Sequence, residues 1–271
     1  MNGKSELRKR IARAEELSSE YSFASEMLRF YIAIACFQEE TYAEILRTGV
    51  QADGSVSHPY IFDSPLDPRS SRHFQQFLSV VEQHGPLPLR EAAREVASRG
   101  ERSCFHLLTA FWNAFEPRSL PTGSSDFFAR AFLQPYAELF RERLTLQSGG
   151  PAPFVCPYCK RKPGLGVLRP LGEGALRSLI CSFCLGEWEF RRIVCPGCGE
   201  ENHENLPVYT AEELKHVRVE ACDTCRTYIK TVDLTKSGRA EPVVDEMASI
   251  PLDLWASERG YTKLHPNLLQ F

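Results

Sequence analysis

The sequence predicts an α+β protein, with an all-α helical amino-terminal domain followed by two small tandem units that each carry four cysteines. Three observations support this. Through the first half of the 271-residue chain, apolar residues recur at spacings of three and four, the period that gathers side chains on one helical face. Beyond residue 153 the spacing falls to two, as in half-buried strands. Eight of the ten cysteines lie between Cys156 and Cys225, in four Cys-x-x-Cys pairs.

The helical half, residues 1–147, opens with a stripe of Leu7, Ile11, Ala14 and Leu17. A second stripe of Phe23, Met27, Phe30, Ile34 and Phe37 follows, and the two helices are expected to pack together. Asp67-Pro68-Arg69-Ser70 and Gly85-Pro86 read as breaks, with a helix over 73–83 between them. Further helices are predicted over 88–98, 102–115 and 126–143. In the last, Phe128, Phe132, Tyr136, Leu139 and Phe140 share a face, and Pro135 is expected to kink the helix or restart it. The glycine- and proline-rich run 147–153 has the composition of a connection between folded units. After it, Trp188, Phe190 and Val194, then Val217, Val219 and Ala221, then Tyr228, Lys230 and Val232 alternate with their neighbours. They predict short strands, with turns at Gly164, Gly172 and Gly174.

The cysteine pairs are Cys156/Cys159, Cys181/Cys184, Cys195/Cys198 and Cys222/Cys225. Residues 160–180 separate the first two, 199–221 the last two, and only 185–194 the middle pair. A first unit is placed at 154–194 and a second, with the carboxy-terminal tail, at 195–271. A Cys-x-x-Cys turn presents two thiolates to one ion, and two turns joined by a hairpin complete a sulfur tetrahedron. This is the zinc-ribbon or rubredoxin-like signature, which suits zinc or iron. Two metal ions are expected, one per unit. Pairing of neighbouring turns is favoured, since each copy has its own hairpin, while a cross-brace joining alternate pairs stays open. Metal binding is also expected to supply folding free energy that units of some forty residues lack, on the order of 10 kcal/mol.

Other chemistry does not assemble. The pairs lack the βαβ setting of thiol redox motifs. Gly164-Leu-Gly166 lacks the third glycine of a dinucleotide loop, and HExxH, P-loop and EF-hand patterns are missing. His203 and His216 read as turn or surface residues beside an already filled tetrahedron, and Cys36 and Cys104 as buried core thiols. A net charge of −3 provides no basic field for nucleic acid. The longest apolar run, Phe30 to Phe37, is too short for a membrane span. The start lacks the apolar stretch of a secretory signal, so a cytoplasmic protein is expected.

The cysteine segment resembles the formate dehydrogenase accessory proteins, the FdhE family. The resemblance rests on Cys156-Pro-Tyr-Cys159, on Cys181-Ser-Phe-Cys184-Leu-Gly-Glu187-Trp188 and on Arg191-Arg192-Ile-Val-Cys195-Pro-Gly-Cys198-Gly199. It continues through Glu220-Ala-Cys222-Asp-Thr-Cys225-Arg-Thr-Tyr228-Ile-Lys230 and the tail from Glu241 to Ala256. It implies a helical domain followed by two rubredoxin-like units, with iron as the metal. It also implies a non-enzymatic maturation chaperone for respiratory formate dehydrogenase, whose catalytic subunit is the partner. Lys160 stands where the family usually has glycine after the first turn. The strand around Trp188 and Arg191 and the tail around Asp245 are candidate docking residues, although Trp188 reads first as ribbon core and Arg191 as a solvated strand residue. The tail from Pro251 to Leu269 is expected to pack back on the ribbons. An iron electron carrier and a ribbon-type nucleic-acid binder are the competing classes.

Overall fold

The computed structural model describes residues 3–48, 66, 68–114, 123–144 and 153–270. Two compact units emerge, residues 1–145 and 146–269. Most of the connecting run 147–153, and Asp67 of the first predicted break, lie outside the described residues.

The first unit is helical: α1 (Gly3–Glu20), α2 (Ser25–Thr48), α3 (Pro68–His84), α4 (Leu87–Ser98), α5 (Glu101–Asn113) and α6 (Ser124–Arg143). The α1 stripe is buried at Leu7, Ala14 and Leu17 and packs on α2. The second predicted stripe starts too early. Phe23 precedes α2 and is 55% exposed, whereas Phe30, Ile34 and Phe37 are buried as predicted, in a face that also takes in Leu28, Tyr31, Ala35, Gln38 and Tyr42. Phe37 meets Phe77 and Phe132 at ring-centroid distances of 5.4 and 6.4 Å, an aromatic core contributed by α2, α3 and α6.

Helix α6 is buried on every side from Phe127 to Phe140 and continues through Pro135 without a break, contrary to the expected restart. Proline at 135 has no N–H to offer the Ala131 carbonyl one turn back. Gln38 of α2 makes up the loss, its Nε2 donating to Ala131 O at 2.7 Å and to Gln134 Oε1 at 3.2 Å. Glu138, also fully inside, is met by both terminal nitrogens of the buried Arg10. A paired, bidentate geometry of this kind is what a buried charge requires.

The second unit is a seven-stranded sheet. Its strands are β1 (Pro163–Leu171), β2 (Gly174–Cys181), β3 (Glu187–Glu189), β4 (Val208–Thr210), β5 (Val217–Cys222), β6 (Thr227–Asp233) and β7 (Thr262–Lys263). The order is β3-β2-β1-β6-β5-β4, with β7 beside β6. Each cysteine unit therefore contributes three antiparallel strands in the same order. The two triplets join where β1 pairs β6 in parallel, Gly166 opposite Thr231. Gly166 is required there, since a Cβ at this position would lie 2.3 Å from Thr231 Oγ1. Gly172 turns the β1/β2 hairpin with φ 55°. Gly164, expected in a turn, lies within β1 beside an irregularity in its pairing.

Val217, Val219 and Ala221 are buried, as the alternation requires, and so is Lys230 on β6. Helices α7 (Pro242–Ala248) and α8 (Ile250–Glu258) pack on the sheet, each with proline in its first turn. A four-charge cluster fastens them. Lys230 Nζ lies 2.6 Å from Asp253 Oδ2 and 3.1 Å from Glu246 Oε1, and Lys263 closes the square against the same two carboxylates. Tyr228 donates to Asp253 Oδ1 at 2.7 Å. In the tail Leu252 and Tyr261 are buried, Leu254 points outward at 62% exposure, and Trp255 meets Tyr209 at 4.6 Å.

Candidate metal centres

The four Cys-x-x-Cys segments fold into one repeated turn. After each pair comes a left-handed residue: Lys160 (φ 61°), Leu185 (φ 52°), Gly199 (φ 83°) and Arg226 (φ 57°). Lys160 therefore adopts the conformation that glycine would take at no steric cost. The backbone closes each loop in the same way. The carbonyls of Cys156, Cys195 and Cys222 accept from the N–H of residues 160, 199 and 226 at 2.9, 3.0 and 2.9 Å. The N–H of Cys156, Cys181 and Cys195 donates five residues on at 2.8, 2.9 and 2.9 Å. Two of the turns also aim an inner N–H at sulfur: Phe183 N lies 3.3 Å from Cys181 Sγ, and Gly197 N lies 3.3 Å from Cys195 Sγ.

Neighbouring turns combine. Cys156, Cys159, Cys181 and Cys184 form one group and Cys195, Cys198, Cys222 and Cys225 the other, with all ligand atoms of a group within 4.8 Å of one another. The interleaved cross-brace is not formed. The short Sγ–Sγ separations are 3.5 and 3.4 Å in the first group and 3.7 and 3.7 Å in the second. A tetrahedron with metal–sulfur bonds of about 2.3 Å has an edge of about 3.8 Å, so both sets fit one ion each. Four sulfurs suit zinc or iron and leave no open position. Burial pushes the Cys156, Cys184 and Cys195 thiols up from their ordinary value, while hydrogen bonds outweigh burial and hold Cys181 and Cys225 below it.

The two groups differ in cover. In the first, all four cysteines are buried; in the second, Cys198 is exposed and Cys225 half-buried. Glu200 ties the two turns of the second group together, accepting from the Thr224 hydroxyl at 2.5 Å and from Asn205 Nδ2 at 3.2 Å. The Thr224 hydrogen bond, with those from Asn202 and Asn205, holds its carboxyl down at about 2.

Among the described residues, neither His203 nor His216 joins a cluster. His203 is exposed, and His216 Nε2 lies 2.8 Å from Asp245 Oδ1. Cys104 is buried as expected, whereas Cys36, predicted to be a core thiol, lies on the outward face of α2. Of the three docking candidates, Arg191 alone is on the surface, paired with Glu201 at 2.5 Å. Trp188 is 7% exposed and donates Nε1 to Pro153 O at 2.9 Å, which makes it ribbon core. Asp245 is 2% exposed and committed to His216 and to the N–H of Glu241 at the start of α7, so it presents nothing to a partner. Sequence reasoning missed the clamp between the two triplets. Arg177 of β2 reaches Glu220 of β5 through Nε and Nη2 at 3.0 and 2.6 Å, with Arg218 on the other carboxylate oxygen. Burial alone would raise the Glu220 carboxyl, but the two guanidiniums hold it below its ordinary value.

Fold and site together define a helical protein carrying a tandem pair of four-sulfur ribbons on one sheet. A family model for the central domain of FdhE matches residues 155–192, and one for the FdhE C-terminal domain matches residues 193–270. An FdhE homolog of Aquifex aeolicus is 31% identical over 206 residues, covering 74% of this chain and 70% of that protein. An FdhE homolog of Pseudomonas aeruginosa is 37% identical over 122 residues, 42% of this chain and 39% of that protein. The crystal structure of the FdhE protein from Pseudomonas aeruginosa shares the fold at 22% identity, with a TM-score of 0.66 over 98% of this chain and 96% of that one. The chain belongs to the FdhE family. Among the described residues no helix is long and apolar enough to cross a membrane.

Proposed function

We propose that this chain is a non-catalytic accessory protein that binds the catalytic subunit of a respiratory formate dehydrogenase in the cytoplasm while that subunit is assembled. The observation supporting this reading is family membership, with FdhE domains matched from residue 155 to 270. The geometry agrees with it. Both sulfur sets are closed, so a bound ion would crosslink and stiffen its ribbon without offering a substrate position. Iron is the metal we propose, on the family resemblance. The test is a deletion strain complemented with the wild-type gene or with Cys195→Ser. Formate oxidation should fall in the deletion while synthesis of the catalytic subunit is unchanged, and only the wild type should restore it. Full formate oxidation in a deletion strain with no related gene would overturn the reading.

One observation favours an electron carrier as the competing reading: the part-exposed sulfur of the second cluster. A carrier would cycle reversibly between two metal oxidation states with the metal retained in both. A non-electroactive loaded protein would exclude it.

A further inference from the structure

The two four-cysteine groups share one turn geometry but differ in the residues inside the turns. The third residue of each Cys-x-x-Cys is Tyr158 and Phe183 in the first group, Gly197 and Thr224 in the second. Phe183 is 3% exposed, and the guanidinium of Arg161 lies 4.5 Å above its ring, so an aromatic cap and a cation seal that side. Gly197 has no side chain to place there, and Thr224 is exposed with its hydroxyl turned to Glu200. The consequence is visible at the ligands. Cys156, Cys181 and Cys184 have 0% exposure and Cys159 7%, whereas Cys198 is exposed and Cys225 half-buried.

A ligand leaves a closed tetrahedron only if an incoming donor can reach the metal or the departing sulfur can swing into water. In the first group either event needs the aromatic cover to open, a local unfolding step with its own free-energy cost. In the second, Cys198 is already exposed. We infer that the second cluster is an exchangeable metal site, entered at Cys198 by a soft donor such as a thiolate or a chelator, while the first cluster is a permanent structural site. In the exchange the incoming donor binds the metal as the Cys198 sulfur leaves and takes up a proton. No oxidation state changes. The inference is independent of which partner the protein serves.

The test uses the full chain loaded with two ions. It is mixed with an excess of the chelator 4-(2-pyridylazo)resorcinol and with N-ethylmaleimide, and released metal and alkylated cysteines are followed in the same aliquots. One equivalent should leave faster than the other by about tenfold or more. Label should appear on Cys198, Cys225, Cys195 and Cys222 in step with it, and Cys156, Cys159, Cys181 and Cys184 should stay protected until the slow phase. Cys36, exposed and outside both clusters, marks full reagent access. Thr224→Phe, which places at this turn the aromatic residue found in the first cluster, should load two ions and slow the fast phase. Release of both ions in one phase, release of neither, or early label on the first group would each overturn the inference. An unchanged fast phase in Thr224→Phe would overturn the assignment of the difference to turn cover.

Discussion

Proline at position 135 takes an N–H away from the Ala131 carbonyl in the middle of a helix that is buried all round. Gln38 Nε2 at 2.7 Å takes its place. A buried carbonyl left unpaired costs about 1–3 kcal/mol, so Gln38→Leu should destabilise the helical unit by roughly that amount in urea denaturation. Adding Pro135→Ala should recover much of the loss, because it returns the missing donor to the same carbonyl. Equal stability of Gln38→Leu and wild type would show that the carbonyl has another partner. The proline was legible in the sequence; its partner, 93 residues away on another helix, was not.

At the scale of elements, the join between β1 and β6 decides whether the two cysteine units form one sheet. Gly166 and Thr231 face each other across it so closely that Gly166→Ala brings the new Cβ to 2.3 Å from Thr231 Oγ1. Overpacking of this kind costs about 1–3 kcal/mol, and the double variant Gly166→Ala, Thr231→Ala should regain most of it if the clash is the cause. Additive losses would place the effect elsewhere. The cysteine turns could be read from sequence because their spacing suits one ion per pair of turns, and β5 because its alternation matches a half-buried strand. β6 is a strand as predicted, but Ile229 and Thr231 are buried along with Tyr228, Lys230 and Val232, so both its faces are covered. The parallel join could not be read in this way, since it links residues 166 and 231 without a local signal. Pro242 and Pro251 open α7 and α8, where a missing N–H costs nothing. Cys36 was misplaced because the continuous apolar run Phe30 to Phe37 conceals which face of the helix turns to solvent, and Phe23 because it keeps the helical spacing to Met27 although it lies before α2. The burial of Asp245, a docking candidate from the sequence, has no local signal because its partner His216 lies on another segment.

For the whole molecule, the family resemblance, the helical unit and the sheet meet in one claim: the carboxy-terminal unit is organised around two closed four-sulfur sites, each made from neighbouring turns. The Arg177–Glu220–Arg218 clamp and the Lys230–Glu246–Asp253–Lys263 cluster hold the triplets and the tail helices together. Native mass spectrometry of anaerobically purified protein tests the claim most directly. Two ions per chain are predicted for the wild type and for Cys36→Ser and Cys104→Ser, and one for each of Cys156→Ser, Cys181→Ser, Cys195→Ser and Cys222→Ser. The double variant Cys156→Ser, Cys181→Ser should still hold one ion, because both cysteines belong to the same site. A folded wild type with fewer than one ion, or loss of both ions in that double variant, would contradict the account.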